Sequence, residues 1–280
     1  MTAKLRWLLS VCLLSKKRSQ VNKIAQSKTV RDSWNDAYVR HGLTNWELLP
    51  LRDMAEFASK SGVPFSDVRT IVSIGCGRGS RELNLLLLNS NLNRSEVSLC
   101  GIDLSSKAIQ DAKRCEKSVR GGKGFAGPLR DAMSKCFNGS SVPPLLASIE
   151  YECAEFLSWN STKSFDLVID WMCLHALHPA LRAEYIGKIL SFLPKYIILK
   201  VFSSDISTVQ SPKEAVPGVP KSLFSRAEVE AMFHPDYEVL HVAEDAEDLN
   251  PANRPTDDIV TGKRAFLFGR IPDGNKVAQK

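Results

Sequence analysis

The chain has 280 residues, 44% of them hydrophobic, enough to bury one full core with small additions. No apolar run reaches the roughly 18 residues of a membrane span. The seven cysteines (Cys12, Cys76, Cys100, Cys115, Cys136, Cys153 and Cys173) form no C-x-x-C pair and no His–Cys cluster, so they read as reduced thiols of an intracellular protein, without a metal.

The net charge of +6 belongs to the start of the chain. Residues 1–31 hold eight Lys/Arg and no acid, and taking those eight from +6 leaves −2 for residues 32–280. A near-neutral body argues against a nucleic-acid partner, which calls for a basic stripe on the folded surface. The first 31 residues also carry an apolar patch from Leu5 to Leu14. That composition is similar to a mitochondrial presequence, or to a disordered start, so the expected location is cytoplasmic or mitochondrial. Residues 32–272 are expected to form one domain, and 273–280 a tail.

Trp34, Tyr38 and Trp46 stand in a polar segment, where they either cap the core or cover a ligand. Leu49 to Ser61 has the pattern of an amphipathic helix ended by Gly62-Val63-Pro64. Ile71 to Ile74 is β-branched and apolar, as a buried parallel strand would be. Gly75, Gly77 and Gly79 follow at alternate positions, and Arg81 to Leu88 suits a helix whose first amides face a ligand. Val97 to Ile102 is the next strand, and Asp103 at its end can accept two hydrogen bonds from a ribose diol. Together these make a nucleoside-binding βαβ unit. A dinucleotide site needs its third small residue one place later than Gly79.

A helix capped by Ser105 or Ser106 follows. Residues 119–147, rich in Gly and Pro, exceed what a strand connection needs and read as an inserted loop with a short helix near 129–136. Strands are expected at Ile149–Cys153, Ser164–Trp171 and Tyr196–Ser203, with a helix over His178–Leu193 between the last two. Ser225 caps a further helix, and Tyr237–Ala243 with Arg264–Arg270 closes the sheet as an antiparallel pair.

These elements resemble a class I S-adenosylmethionine (SAM)-dependent methyltransferase from about Ser33 to Arg270. The motif Ile74-Gly75-Cys76-Gly77-Arg78-Gly79 is similar to that superfamily's first motif. Within it, the chain most resembles the thiopurine/thiol and tellurite-resistance methyltransferases, through Trp34-x3-Tyr38-x7-Trp46, the run from Phe165 to Leu190, and the tail from Gly218 to Phe233. The resemblance implies a Rossmann-like α/β fold: a mostly parallel seven-stranded sheet with helices on both faces and an antiparallel last strand. It implies SAM as cofactor, held by Ser73, Gly75, Cys76, Gly77, Gly79, Asp103 and Leu104. Glu155 would accept from the adenine amino group, Phe156 would lie against its ring, and Trp34 and Trp46 would sit near the sulfonium. Asp170 would join this set. Three departures stand out: Ser73 replaces a common acid, Leu193-Pro194-Lys195 replaces Pro-Gly-Gly, and 119–147 is long.

Methyl transfer needs a held acceptor and no obligatory base. For an oxygen or nitrogen acceptor, Asp170, His175 and His178 are the candidates, although a histidine after a strand also serves as cap or packing residue. Lys200 and Arg182 could steer an anionic acceptor. The expected acceptor is a small-molecule nucleophile, a thiol or similar. The rival readings are a protein or RNA methyltransferase and a catalytically silent binding protein. The sequence leaves the oligomeric state open.

Overall fold

A computed structural model of the protein describes residues 29–39, 53–128, 130–137, 141–206, 222–245 and 262–272. Trp46 and the basic start up to residue 28 lie outside the described residues. Helix α1 covers residues 29–39. There follow α2 (Asp53–Lys60), β1 (Thr70–Ile74), α3 (Ser80–Leu88), β2 (Ser98–Asp103), α4 (Ser106–Arg120) and α5 (Arg130–Lys135). The second half supplies β3 (Ser148–Cys153), β4 (Leu167–Trp171), α6 (Arg182–Ser191), β5 (Tyr196–Phe202), α7 (Arg226–Phe233), β6 (Tyr237–Asp245) and β7 (Lys263–Arg270).

The seven strands order as β3-β2-β1-β4-β5-β7-β6. All neighbours are parallel except β7, which runs antiparallel to both β5 and β6. The expected Rossmann-like sheet is present. Central strands β4 and β5 are buried almost throughout, which explains their unbroken apolar sequences. Edge strand β3 alternates between exposed and covered positions.

Successive β1 residues feed opposite layers. Ile71 packs with Met54 and Phe57 of α2, Leu83 and Leu86 of α3, and Val119 of α4. Val72 and Ile74 pack with Tyr185 and Ile189 of α6 and Val229 and Phe233 of α7. Local caps fix the helix starts. Ser105 accepts from the Ala108 amide at 3.2 Å, settling the choice between the two serines. Ser225 and Glu228 form a reciprocal capping box.

Two expectations need correction. The short helix expected near 129–136 is α5, but the described residues of 119–147 are not a loose loop, because Phe125, Met133, Phe137 and Leu145 are buried in the same core layer as α3. The helix between 178 and 193 is also broken: a 3-10 turn at Pro179–Leu181 precedes α6. No helix among the described residues is long and apolar enough to cross a membrane.

The strand order reverses at β1, whose neighbours are β2 and β4. The crevice above the carboxyl ends of those strands is where open α/β sheets bind ligands, and it is where the glycine bend lies.

Candidate active site

The bend leaves β1 at Gly75 and enters α3 at Gly79, with the Gly79 amide donating to the Cys76 carbonyl at 2.9 Å. Gly77 and Gly79 have φ of +55° and +66°, in the left-handed region that side chains strain to adopt. Space forbids a side chain as well. A Cβ on Gly77 would fall 2.7 Å from the Tyr38 hydroxyl, and one on Gly79 would strike the Tyr151 phenol.

Asp103 closes the other side of the crevice. Its Oδ2 accepts from the Gly77 amide at 2.8 Å and its Oδ1 from the Ser105 amide at 2.7 Å. One carboxylate thus ties the bend to the start of α4. A carboxylate offers about four lone-pair sites, so two further donors, such as a ribose diol, fit the same group. Leu104, the next residue, is half-buried beside it. The sheet's end, the main-chain bend and this acid therefore suit a nucleoside.

Helix α1 lies across this crest and touches three parts of it. Asn35 Oδ1 accepts from the Ser105 hydroxyl at 2.8 Å, at the head of α4. The Tyr38 carbonyl accepts from Arg78 Nη2 at 3.0 Å, and the Arg78 guanidinium lies 5.0 Å from the centre of the Tyr38 ring. Trp34 and Val30 join a small apolar cluster with Ala37 and Ala176, the latter from the turn after β4. Arg78 is in turn anchored to Asp111 of α4 at 3.0 Å, with both side chains only 2% exposed. Helix α1, with Trp34 and Tyr38, thus lies against the crest.

The turn after β4 forms the floor between β1 and β4. Asp170 is fully buried, and its carboxylate accepts from the Cys173 amide at 2.6 Å, the Leu174 amide at 3.0 Å and the Tyr185 hydroxyl at 2.7 Å. Burial pushes this carboxyl up to about 6, against the pull of those three donors. The clamp folds the chain so tightly that Met172 takes φ of +77°, a strained value for a bulky residue. It also sets Cys173 directly against Gly75, where an added Cβ would lie 3.0 Å from the cysteine Cβ.

The three candidate bases lie in different settings. Asp170 holds the turn after β4 together, with its oxygens engaged by three donors. His178 is exposed, and its Nδ1 accepts from the Ala180 amide at 3.3 Å, capping the 3-10 turn. His175 is buried and packs edge-on against Phe202, ring centres 4.6 Å apart. Phe156 is likewise 7% exposed, enclosed by Tyr185 and Phe192, so its ring is spent largely on the core. Glu155 is half-buried just beyond the end of β3. Cys76 is buried in the bend, where burial pushes its thiol up and Glu82 and Asp103 add to that. Ser73 is buried behind the bend and donates to Glu82 at 2.7 Å.

Sequence reasoning missed the ion network beside the floor. Lys200 on β5, 2% exposed, pairs with Asp53 of α2 at 3.0 Å and lies 4.7 Å from the Trp171 ring centre. Trp171 Nε1 and Arg81 also donate to Asp53. Burial alone would raise the Asp53 carboxyl, but Arg81 and Lys200 outweigh it and hold it below its usual range. Lys200 is thus a paired internal cation. Arg182 hydrogen-bonds Ser222 and lies 4.8 Å from the Phe224 ring centre.

Comparison with known proteins follows the same lines. The family model for thiopurine S-methyltransferase matches residues 30–265. A sequence search finds no match among curated proteins. Among solved structures, magnesium protoporphyrin IX methyltransferase from Synechocystis PCC 6803, with bound SAM, superposes with a TM-score of 0.51 at 14% identity, over 88% of this chain and 97% of that one. Burkholderia thailandensis 1,6-didemethyltoxoflavin-N1-methyltransferase gives 0.53 at 13% identity, covering 91% of this chain and 90% of its own. The N-methyltransferase NodS from Bradyrhizobium japonicum WM9 gives 0.52 at 13% identity, covering 86% and 98%. At such identities the likeness is one of fold.

Proposed function

We propose that this chain, which belongs to the thiopurine S-methyltransferase family, moves the methyl group of SAM to a small thiol or a similarly soft nucleophile. It is a SAM-dependent methyltransferase. The sulfonium of SAM supplies a methyl carbon already activated for in-line displacement. The protein's share is to hold, orient and dry the reactants. Asp103 takes the sugar hydroxyls, and the glycines of the bend, free of side chains, let the amino-acid end lie close to the main chain. The clamped turn after β4 supports the place where donor and acceptor meet. Positioning of this kind is worth about 7–11 kcal/mol. Helix α1, seated on both α4 and the bend, shields the crest from water.

One observation carries the choice of acceptor. Of the three candidate bases, Asp170 is engaged by three donors, His178 Nδ1 by its cap, and His175 is buried edge-on against Phe202, away from open solvent. An alcohol or amine acceptor asks for proton removal. A thiol that ionises near neutral pH, with an ordinary value of about 8.5, asks for little help. The net charge of −2 over residues 32–280 adds support against a nucleic-acid acceptor.

Incubation of the full chain with methyl-labelled SAM tests this reading. Label is expected in small aromatic or aliphatic thiols and absent from added cell protein and RNA. Label confined to macromolecules, or found in alcohols and amines as readily as in thiols, overturns it.

A further inference from the structure

Beneath the glycine bend, two buried oxygens have no hydrogen-bond partner: Glu82 Oε2 and Tyr151 Oη. Glu82 sits in the first turn of α3 and is 3% exposed; Tyr151 on β3 is 4% exposed, with its hydroxyl against Gly79. The other Glu82 oxygen accepts from Ser73 at 2.7 Å, which fixes the carboxyl behind the bend. An enclosed carboxyl with open lone pairs is costly unless something fills them.

The other acids of this region are already satisfied. Asp103 takes two main-chain amides, and Asp170 takes three donors. Asp53 is held by Arg81 and Lys200, and Asp111 by Arg78 and Lys107. Of these five acids Glu82 alone keeps an oxygen with no donor. With the ribose on Asp103 at the end of β2, the rest of SAM would run along the crest toward the end of β1, where Ser73 and Glu82 meet. That portion bears an α-carboxylate, which main-chain amides suit, and an α-ammonium, which needs an acceptor.

We propose that Glu82, oriented by the Ser73 hydroxyl, is the carboxyl that receives the α-ammonium of SAM, with the Tyr151 hydroxyl beside it. The assignment rests on the methyltransferase reading above. Burial holds the free carboxyl above its usual range, outweighing the Ser73 bond. A cation arriving at Oε2 would return it to the ionised form, with its proton leaving to solvent.

Calorimetry on the full chain compares two ligands. S-adenosylhomocysteine carries the amino-acid end, whereas 5′-methylthioadenosine keeps the nucleoside and thioether but lacks that end. Glu82→Gln is expected to weaken S-adenosylhomocysteine about 10- to 100-fold, the worth of a charged hydrogen bond, and to leave methylthioadenosine within about twofold. Equal weakening of both ligands would make Glu82 a structural acid only and overturn the proposal, as would unchanged binding of both. Should Glu82→Gln not fold, Ser73→Ala serves instead, with an expected loss of about 3- to 10-fold confined to S-adenosylhomocysteine; there too an equal loss refutes. Failure of the wild-type chain to bind either ligand removes the cofactor reading itself, and this assignment with it.

Discussion

Replacing Asp111 by alanine leaves the Arg78 guanidinium buried without its ion-pair partner at 3.0 Å, on a side chain that is 2% exposed. Removing one member of a buried pair costs about 3–5 kcal/mol, because the remaining charge stays desolvated. At about 2–4 °C per kcal/mol for a domain of this size, the melting temperature should fall by about 6–20 °C. Lys107, which shares Asp111 at 2.8 Å, has a side chain that is 34% exposed and can turn to water. Thermal unfolding followed by circular dichroism reads the effect. The exposed Arg226–Glu230 pair is the control, where Glu230→Ala should cost about 0–1 kcal/mol. An Arg78→Met/Asp111→Leu double substitution should regain most of the loss, since an apolar pair replaces a buried ionic one at little cost. If Asp111→Ala melts no lower than Glu230→Ala, the burial argument is wrong.

Three other outcomes can be checked directly. Gly79→Ala should abolish cofactor binding and lower stability by about 2 kcal/mol or more, since strain at φ +66° adds to the clash with Tyr151. Gly122→Ala, with similar φ and open space, should cost only about 1 kcal/mol and leave binding intact; like behaviour of the two variants would disprove the packing account. His178→Ala should lower kcat with thiols by less than about threefold and cost about 0.5–1.5 kcal/mol as a lost cap hydrogen bond; a hundredfold drop would restore this histidine as a base. Asp170, raised from 3.8 to about 6, favours the folded state fully below pH 3.8 and loses that contribution as pH rises through 6, about 3 kcal/mol in all. The melting advantage of wild type over Asp170→Asn should therefore shrink between pH 4 and 7, and a constant difference would contradict the assignment.

The strands, their alternation with helices, the glycine spacing and Asp103 were legible because each depends on residues close in sequence. So were the caps at Ser105 and Ser225, which act over three residues. Pairings between distant segments were not. Asp53 meets Lys200 across 147 positions, and nothing local in either neighbourhood announces it. Glu82 was hidden differently: in the first turn of a leucine-rich helix it reads as an ordinary favourable charge, and only the fold turns it inward to Ser73. The insertion was misjudged on its glycines and prolines. Its spaced apolar residues, Phe125, Met133, Phe137 and Leu145, were the better signal. For Asp170, His175 and His178 the sequence placed them at or beyond the end of β4 but could not show which way each side chain turns.

The placement of β7 has a consequence for how the protein is made. The final strand in the chain enters between two strands synthesised before it, bonding to β5 on one side and β6 on the other. Until residues 263–270 have left the ribosome, that half of the sheet has two bare margins and no bridge between them. A premature stop just ahead of Lys263 would remove fewer than twenty residues, yet it would leave β6 with no strand to pair with.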